Sequence, residues 1–381
     1  MLKTIIYTLS CAALFYSCNR VDKDPTIEGK EVINFEKINY SQLFTIKKHS
    51  HYKEIVIASP WIDGEIYAQY ILIPKRAKVP ENLPNKAIII RTPVDNIVTL
   101  STPHIGLYDK LNALDKIIGI ATADYVYNQN IKERTKRGVI KEVGSNKDLN
   151  IELLVDMNPD MVTTSGFQTP SRPMEIAAQA GIKVVFNIEW MEKSPLARAE
   201  WIKFAAAFIN KEKEAQKIFD DIVLQYNEVK KLAENVNSKP KILIGKKWKG
   251  IWNTSGGTSY YANFLRDAGA DYYWFQDTST GTLELSFEEV IDKQLDTDIW
   301  INPGNSVSIA DLLASDDRYG LFNPVKQGQV FGYFNKVNSN GVNAYWEKGP
   351  IAPHIILSDL IKIFHPDLLP NHELYFFKKL E

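Results

Sequence analysis

Trp248 and Trp252 stand four residues apart in KKWKGIWNTSGGTSYY, a polar, glycine-rich run that also carries Lys246, Lys247 and Lys249. Indoles in such a loop have little apolar surrounding to bury them. They read as rings offered to a ligand, with ammonium groups beside them to meet negative charge or to sit on the rings. Similar groups stand where apolar runs end: Thr102 and His104, Tyr125 and Tyr127, Phe167, Trp190 and, near the C-terminus, Trp346. A set so rich in Trp and Tyr suits a large, flat or half-apolar ligand, because rings stack on rings at low entropic cost.

Other chemistries lack their residues. The six histidines, His49, His51, His104, His354, His365 and His372, are scattered. A bare metal ion wants several His and carboxylates converging, so no metal site is expected. No G-x-G-x-x-G or G-x-x-x-x-G-K-[ST] loop and no G-x-S-x-G elbow follows a strand, and the chain is not expected to be an enzyme. The balance of 45 Lys+Arg against 46 Asp+Glu offers no basic field for nucleic acid. Both cysteines, Cys11 and Cys18, fall in the first eighteen residues, which excludes a disulfide scaffold and a thiol nucleophile from the rest.

That N-terminal stretch reads as a secretory leader: Lys3, an apolar run from Ile5 to Tyr16, then Ser17 and Cys18. The run is about twelve residues, short of the ~18 a membrane span needs. The polar stretch after it, NRVDKDPTIEGKE, predicts a flexible stalk over 18–35. Residues 36–85 alternate apolar and polar around turn signals and predict an added β-rich segment.

From residue 86 the pattern changes to strand and helix in strict turn, the grammar of a parallel sheet with flanking helices. It runs once over 86–194 and again over 239–381, where KILIG, YYWF, DIWINPG and QVFGYF read as strands. The helical stretch over 195–238 lies between. IELLVDMNPDMVTTSG and FEEVIDKQLDTDIWINPG share one layout of helix, Asp, strand and glycine. The fold class is therefore α/β, with two Rossmann-like lobes joined by a long backbone helix. In such sheets ligands sit beyond the carboxyl ends of the strands, which is where the residues named above fall.

The opening NIVTLSTPHIGLYDKLNALDKIIGI, the NIELLVDMNPDMVTTSG element and AAFINKEKEAQKIFDDI together resemble the periplasmic substrate-binding proteins of ATP-driven importers for ferric siderophores, haem or cobalamin. The resemblance runs from about Val94 to Ala352. It implies a ligand held between the lobes, delivered to an inner-membrane permease with its ATPase. The ligand it implies is a small prebound metal chelate, with no cofactor of the protein's own; the lysine-flanked tryptophans put a ferric siderophore first, with cobalamin and haem next. It also implies a monomer with one acidic side chain on the outer rim of each lobe for docking on the permease. Glu175 and Asp311, each opening a helix after a strand-ending glycine, are the candidates. The leader is similar to a bacterial lipoprotein signal, which implies cleavage after residue 17, lipidation of Cys18 and a periplasmic, membrane-anchored protein. The alternatives are a surface-exposed lipoprotein that captures haem or chelates for an outer-membrane transporter, and a Rossmann-like enzyme.

Overall fold

A computed structural model describes residues 34, 35 and 37–381. The leader, Cys18 and nearly all of the predicted stalk lie outside the described residues. Among those described, no helix is long and apolar enough to cross a membrane.

The added segment is a five-stranded sheet. Asn34–Phe35, Phe44–Lys48, Lys53–Ala58 and Ile66–Pro74 pair antiparallel in order. Ile88–Thr92 then pairs parallel to Ile66–Pro74. This last strand, KAIIIR in the sequence, thus belongs to the added sheet rather than to the lobe that follows. One-sided burial explains the alternation: Phe44, Ile46, Ile55 and Ile57 are buried while their neighbours are not.

The first lobe holds five parallel strands in the order Val184–Asn187, Met161–Ser165, Ile97–Thr99, Ile117–Ile120 and Lys141–Glu142. The second has three parallel strands, Ile242–Ile244, Ile299–Ile301 and Val330–Gly332, closed by an antiparallel Lys378–Lys379. A separate antiparallel sheet of Lys246–Trp248, Ile251–Ser255 and Thr282–Leu285 leans on this lobe.

Two expectations fail here. The tryptophan-bearing loop is the hairpin Lys246–Trp248/Ile251–Ser255, turned at Lys249 and Gly250, both with positive φ. YYWF, Tyr272 to Phe275, runs into the 3₁₀ turn Tyr273–Gln276, and among the described residues the sheet gains only the isolated bridge Lys241↔Asp271 there. Four consecutive aromatics have no alternation, so apolarity alone was a poor guide to a strand.

Between the lobes lie two helices, Pro195–Ile209 and Glu212–Ala233. Asn210, at φ 56° and ψ 39°, ends the first in the left-handed region that asparagine tolerates. All fifteen residues of Pro195–Ile209 are buried, Arg198, Glu200 and Lys203 included. A helix apolar nearly all round must be covered on every side. The added sheet covers one side through Phe44, whose ring centroid is 4.8 Å from that of Trp201, and through Tyr70, 5.9 Å from Phe208. The Glu212–Ala233 helix, 22 residues and ~33 Å at 1.5 Å per residue, presents an amphipathic face with Ala215, Phe219, Ile222 and Tyr226 buried.

Candidate functional site

A cavity of about 480 Å³ lies between the lobes. The first lobe contributes Trp190, the buried helix contributes Arg198, and the second lobe contributes Tyr260, Tyr261, Asn302, Tyr333, Tyr345 and Trp346. Among the described residues no Asp or Glu lines it. The Tyr333 and Tyr345 rings stack at 4.8 Å, and Trp346 meets Tyr333 edge-on at 5.4 Å. Burial first, then the neighbouring tyrosines, raises Tyr261 and Tyr345 well above their ordinary range, and burial pushes Tyr333 up to about 12. All three are neutral hydroxyls at neutral pH.

Among the described residues Arg198 is the one cation lining this cavity. Its guanidinium stands 4.5 Å from the Tyr260 ring centroid, and its Nη2 donates to Glu189 Oε1 at 3.3 Å. Its Nε has no hydrogen-bond partner among the described residues. Behind it, Glu189 Oε2 is 4.0 Å from His104 Nε2, and neither atom has a hydrogen-bond partner among the described residues. His104 Nδ1 shares a 3.1 Å hydrogen bond with Thr163 Oγ1. Burial lowers the His104 pKa, Glu189 raises it and Arg198 adds to the lowering, so the ring is neutral near pH 7. The floor therefore carries a guanidinium paired on one side with Glu189, its Nε buried and unpartnered, among phenols that can also donate. Such a floor suits an anionic, oxygen-rich group.

A second cavity, about 810 Å³, meets the first at Trp346, which lines both. Thr102, Asp124 and Tyr125 come to it from the first lobe, and Asn305, Val307, Phe334, Val337 and Glu347 from the second. Close ties hold the lobes together beside it. The Glu347 carboxylate accepts the Tyr127 N–H at 2.9 Å and the Asn128 N–H at 3.2 Å. Asn338 Nδ2 donates to the Val126 carbonyl at 3.0 Å. The helix Thr102–Lys110 approaches the turn Tyr345–Lys348 so closely that a Cβ on Gly106 would stand 1.8 Å from the Glu347 carbonyl oxygen.

Of the residues singled out in the sequence, Trp190 and Trp346 line the smaller cavity, and Thr102, Tyr125 and Trp346 the larger. Phe167 packs on Trp190 at 5.6 Å without lining either. Tyr127 also lines neither; its backbone serves the tie to Glu347 and its ring faces Lys348 Nζ at 5.3 Å. His104, 1% exposed, lies beneath the floor. Trp248 sits at the hairpin tip, 69% exposed and away from both cavities.

Trp252 does not face the cleft. It is wholly buried in the second lobe's core against Phe287, Trp300, Tyr319 and Phe322, and its Nε1 donates to the Ile244 carbonyl at 2.9 Å. Strand alternation turns it inward while Ile251 and Asn253 point the other way. The flanking lysines are likewise engaged. Lys246 Nζ donates to Ser306 Oγ at 2.8 Å, and Lys247 pairs with Asp316. Sequence reasoning missed Arg198, Tyr260, Tyr261 and Tyr333. Arg198 had a signal, a cation within the apolar run PLARAEWIKFAAAFI. Trp61 of the added sheet was missed too; its ring lies 6.4 Å from Trp190, which brings the addition to the cleft's rim.

Burial, with a smaller push from Asp109, raises the Glu347 carboxyl from its ordinary 4.5 to about 7, against the two N–H groups and Lys348. A carboxyl raised on folding stabilises the fold fully below about 4.5, and that contribution is lost as pH rises through about 7. The swing is about 3 kcal/mol. Glu347→Gln is therefore expected to gain about 3 kcal/mol on the wild type between pH 4.5 and pH 7.5 in denaturant unfolding. A pH-independent difference between the two proteins would refute the assignment.

Comparison with known proteins adds four observations. Residues 97–336 match the family described as periplasmic binding protein. An uncharacterized lipoprotein of Methanocaldococcus jannaschii is 27% identical over 364 residues, 92% of this chain and 89% of its own. Among solved structures, the apo periplasmic haem-binding protein of Roseiflexus aligns with a TM-score of 0.56 at 17% identity, over 72% of this chain and 99% of that one. A possible iron-binding protein of Staphylococcus epidermidis aligns at 0.55 and 18%, over 71% and 99%.

Proposed function

The chain belongs to the periplasmic binding protein family, and on that premise we propose that it captures an anionic metal chelate, a ferric siderophore first, and delivers it to the permease of an ATP-driven importer. The floor of the smaller cavity carries the reading: Arg198 with an unpartnered Nε, ringed by tyrosines and free of carboxylates. A catecholate or carboxylate chelate offers that floor oxygens and negative charge, and offers its rings to Trp190, Tyr333 and Trp346. On this reading the preference comes from Arg198 rather than from the lysine-flanked tryptophans. The relatives named as lipoproteins support a lipid-modified Cys18 and a membrane-tethered location outside the inner membrane.

Titration of the mature protein with ferric tris-catecholate, haem and cobalamin, followed by tryptophan fluorescence, tests the ligand. Saturable quenching by the ferric chelate at sub-micromolar concentration is expected; tighter binding of either macrocycle would reverse the order, and silence towards all three would end the proposal.

Docking on the permease falls to Glu175 and Asp311. Each is exposed in the first turn of its helix, Arg172–Gln179 and Ile309–Ser315. Glu175 is 3.4 Å from Arg172 on the surface, and Asp311 caps the Val307 N–H at 3.1 Å. Exposed pairs of this kind contribute little to the fold, which leaves the charges available to a partner. Reversing both to Lys is expected to abolish ligand-dependent stimulation of the importer's ATPase while the chelate's Kd stays within about twofold, since both lie outside the cleft. Undiminished stimulation would discard the docking role.

A further inference from the structure

The two cavities that meet at Trp346 are opposite in polarity. The smaller has Arg198 and no carboxylate. The larger has Asp124 and Glu347 among its lining residues, with Lys378 its one cation. Glu347 is the informative member. It is 1% exposed, its Oε2 is taken by the Tyr127 and Asn128 N–H groups, and its Oε1 has no hydrogen-bond partner among the described residues. A buried carboxylate oxygen left unpaired costs free energy that folding alone does not recover. The buried Oδ1 of Asn343, also lining this cavity, is a second unpaired acceptor. Tyr125, Phe334, Trp346 and Val307 supply the remaining wall, largely apolar and aromatic.

We propose that the larger cavity is a cation subsite, in which Glu347 Oε1 receives a protonated amine carried on an apolar stem. The aromatic faces of Tyr125 and Trp346 suit the charge, and the apolar wall suits the stem. A metal ion is a poorer occupant, because hard cations want six or more converging oxygens and no group of three or more His, Cys, Asp or Glu among the described residues is placed to hold one. A second anion is poorer still, since it would meet two carboxylates. The inference rests on the cleft being a solute site and deepens that reading: a ligand spanning Trp346 would present its anionic chelating part to Arg198 and its amine to Glu347.

The probe is 2-phenylethylammonium, with 2-phenylethanol as its neutral counterpart, titrated calorimetrically into the mature wild-type protein at pH 8. One buried charge-assisted hydrogen bond corresponds to roughly tenfold or more in affinity, so the amine is expected to bind at least that much more tightly than the alcohol. Glu347→Gln keeps an oxygen for the Tyr127 and Asn128 N–H groups but puts an amide NH₂, a donor, in place of the unpaired Oε1. It is expected to erase the preference. Asp124→Asn, at an exposed position, reads the same cavity independently of folding at Glu347 and is expected to weaken the amine about threefold. Equal binding of amine and alcohol, or an amine affinity untouched by both substitutions, overturns the inference. Ferric tris-catecholate titrated in parallel reports the Arg198 floor separately. Amine binding without chelate binding overturns the chelate reading and leaves the cation subsite standing, and the converse overturns the subsite alone.

Discussion

Arg198→Met is expected to lower affinity for ferric tris-catecholate by about 100-fold or more and to destabilise the protein by about 3–5 kcal/mol. Two different causes produce the two losses. Affinity falls because the cavity loses its one lining cation and the free Nε donor, and the tyrosines that remain are neutral donors. Stability falls because Glu189, itself buried, loses its 3.3 Å partner and is left as an unpaired charge next to a neutral imidazole. The double variant Arg198→Met, Glu189→Gln separates them. Removing both charges together is expected to restore most of the stability, as replacement of a buried pair generally does. It restores none of the affinity. Chemical denaturation and chelate titration on the three proteins give both readouts. Recovery of affinity in the double variant would show that Arg198 acts only by holding Glu189 in place.

The ties between the lobes bear on how such a ligand is received. The chain passes between them through the buried helix Pro195–Ile209, not through exposed strands. The Glu347 and Asn338 hydrogen bonds join them again on the far side of the cleft. The close approach at Gly106 leaves no room for sliding at that point. Wide hinge closure would have to break buried polar contacts whose partners then face no replacement. The cleft is thus largely preformed, and a ligand gains affinity from organisation already present in the apo protein.

The layout of lobes and backbone helix was readable because parallel sheets and amphipathic helices announce themselves by period, and several pieces repeat in order. The site was readable only in part. The rule that ligands sit at the carboxyl ends of strands led to Trp190, Thr102 and Tyr125, whose backbone positions follow from the sheet. It cannot say which way a side chain points one residue further on, and Trp252 turned inward for that reason. Arg198 and the Tyr260–Tyr261 pair escaped it because they come from helix starts, not strand ends. Glu347 escaped because its importance lies in a contact between residues 219 and 220 positions apart, which no local pattern records.

The added sheet makes a second strong case for a buried acid. Glu200, fully buried in the helix Pro195–Ile209, accepts the N–H groups of Asn39, Tyr40 and Ser41 at 2.9, 2.8 and 2.9 Å. It also holds Lys203 Nζ at 2.9 Å, and that ammonium donates in turn to the Lys37 carbonyl at 2.8 Å. Residues 37–41 carry no regular ladder of their own, so this carboxylate supplies the hydrogen bonds that a strand partner otherwise would. Glu200→Ala removes the acceptor of three backbone donors and leaves Lys203 as a buried cation with one carbonyl. The expected cost is about 4 kcal/mol. Glu200→Gln, which keeps an oxygen for the backbone groups but not the charge for Lys203, is expected to cost about half as much. Hydrogen exchange distinguishes local from global loss. In Glu200→Ala the amides of Asn39, Tyr40 and Ser41 should exchange fastest, followed by the strand Phe44–Lys48, while the parallel strands of the first lobe keep their protection. Because Trp61 of this sheet lies against Trp190, loosening the anchor should also weaken chelate binding by a few-fold. A variant that loses stability evenly across the added sheet and both lobes, with unchanged exchange order, would show instead that Glu200 serves the core as a whole and not the attachment of the sheet.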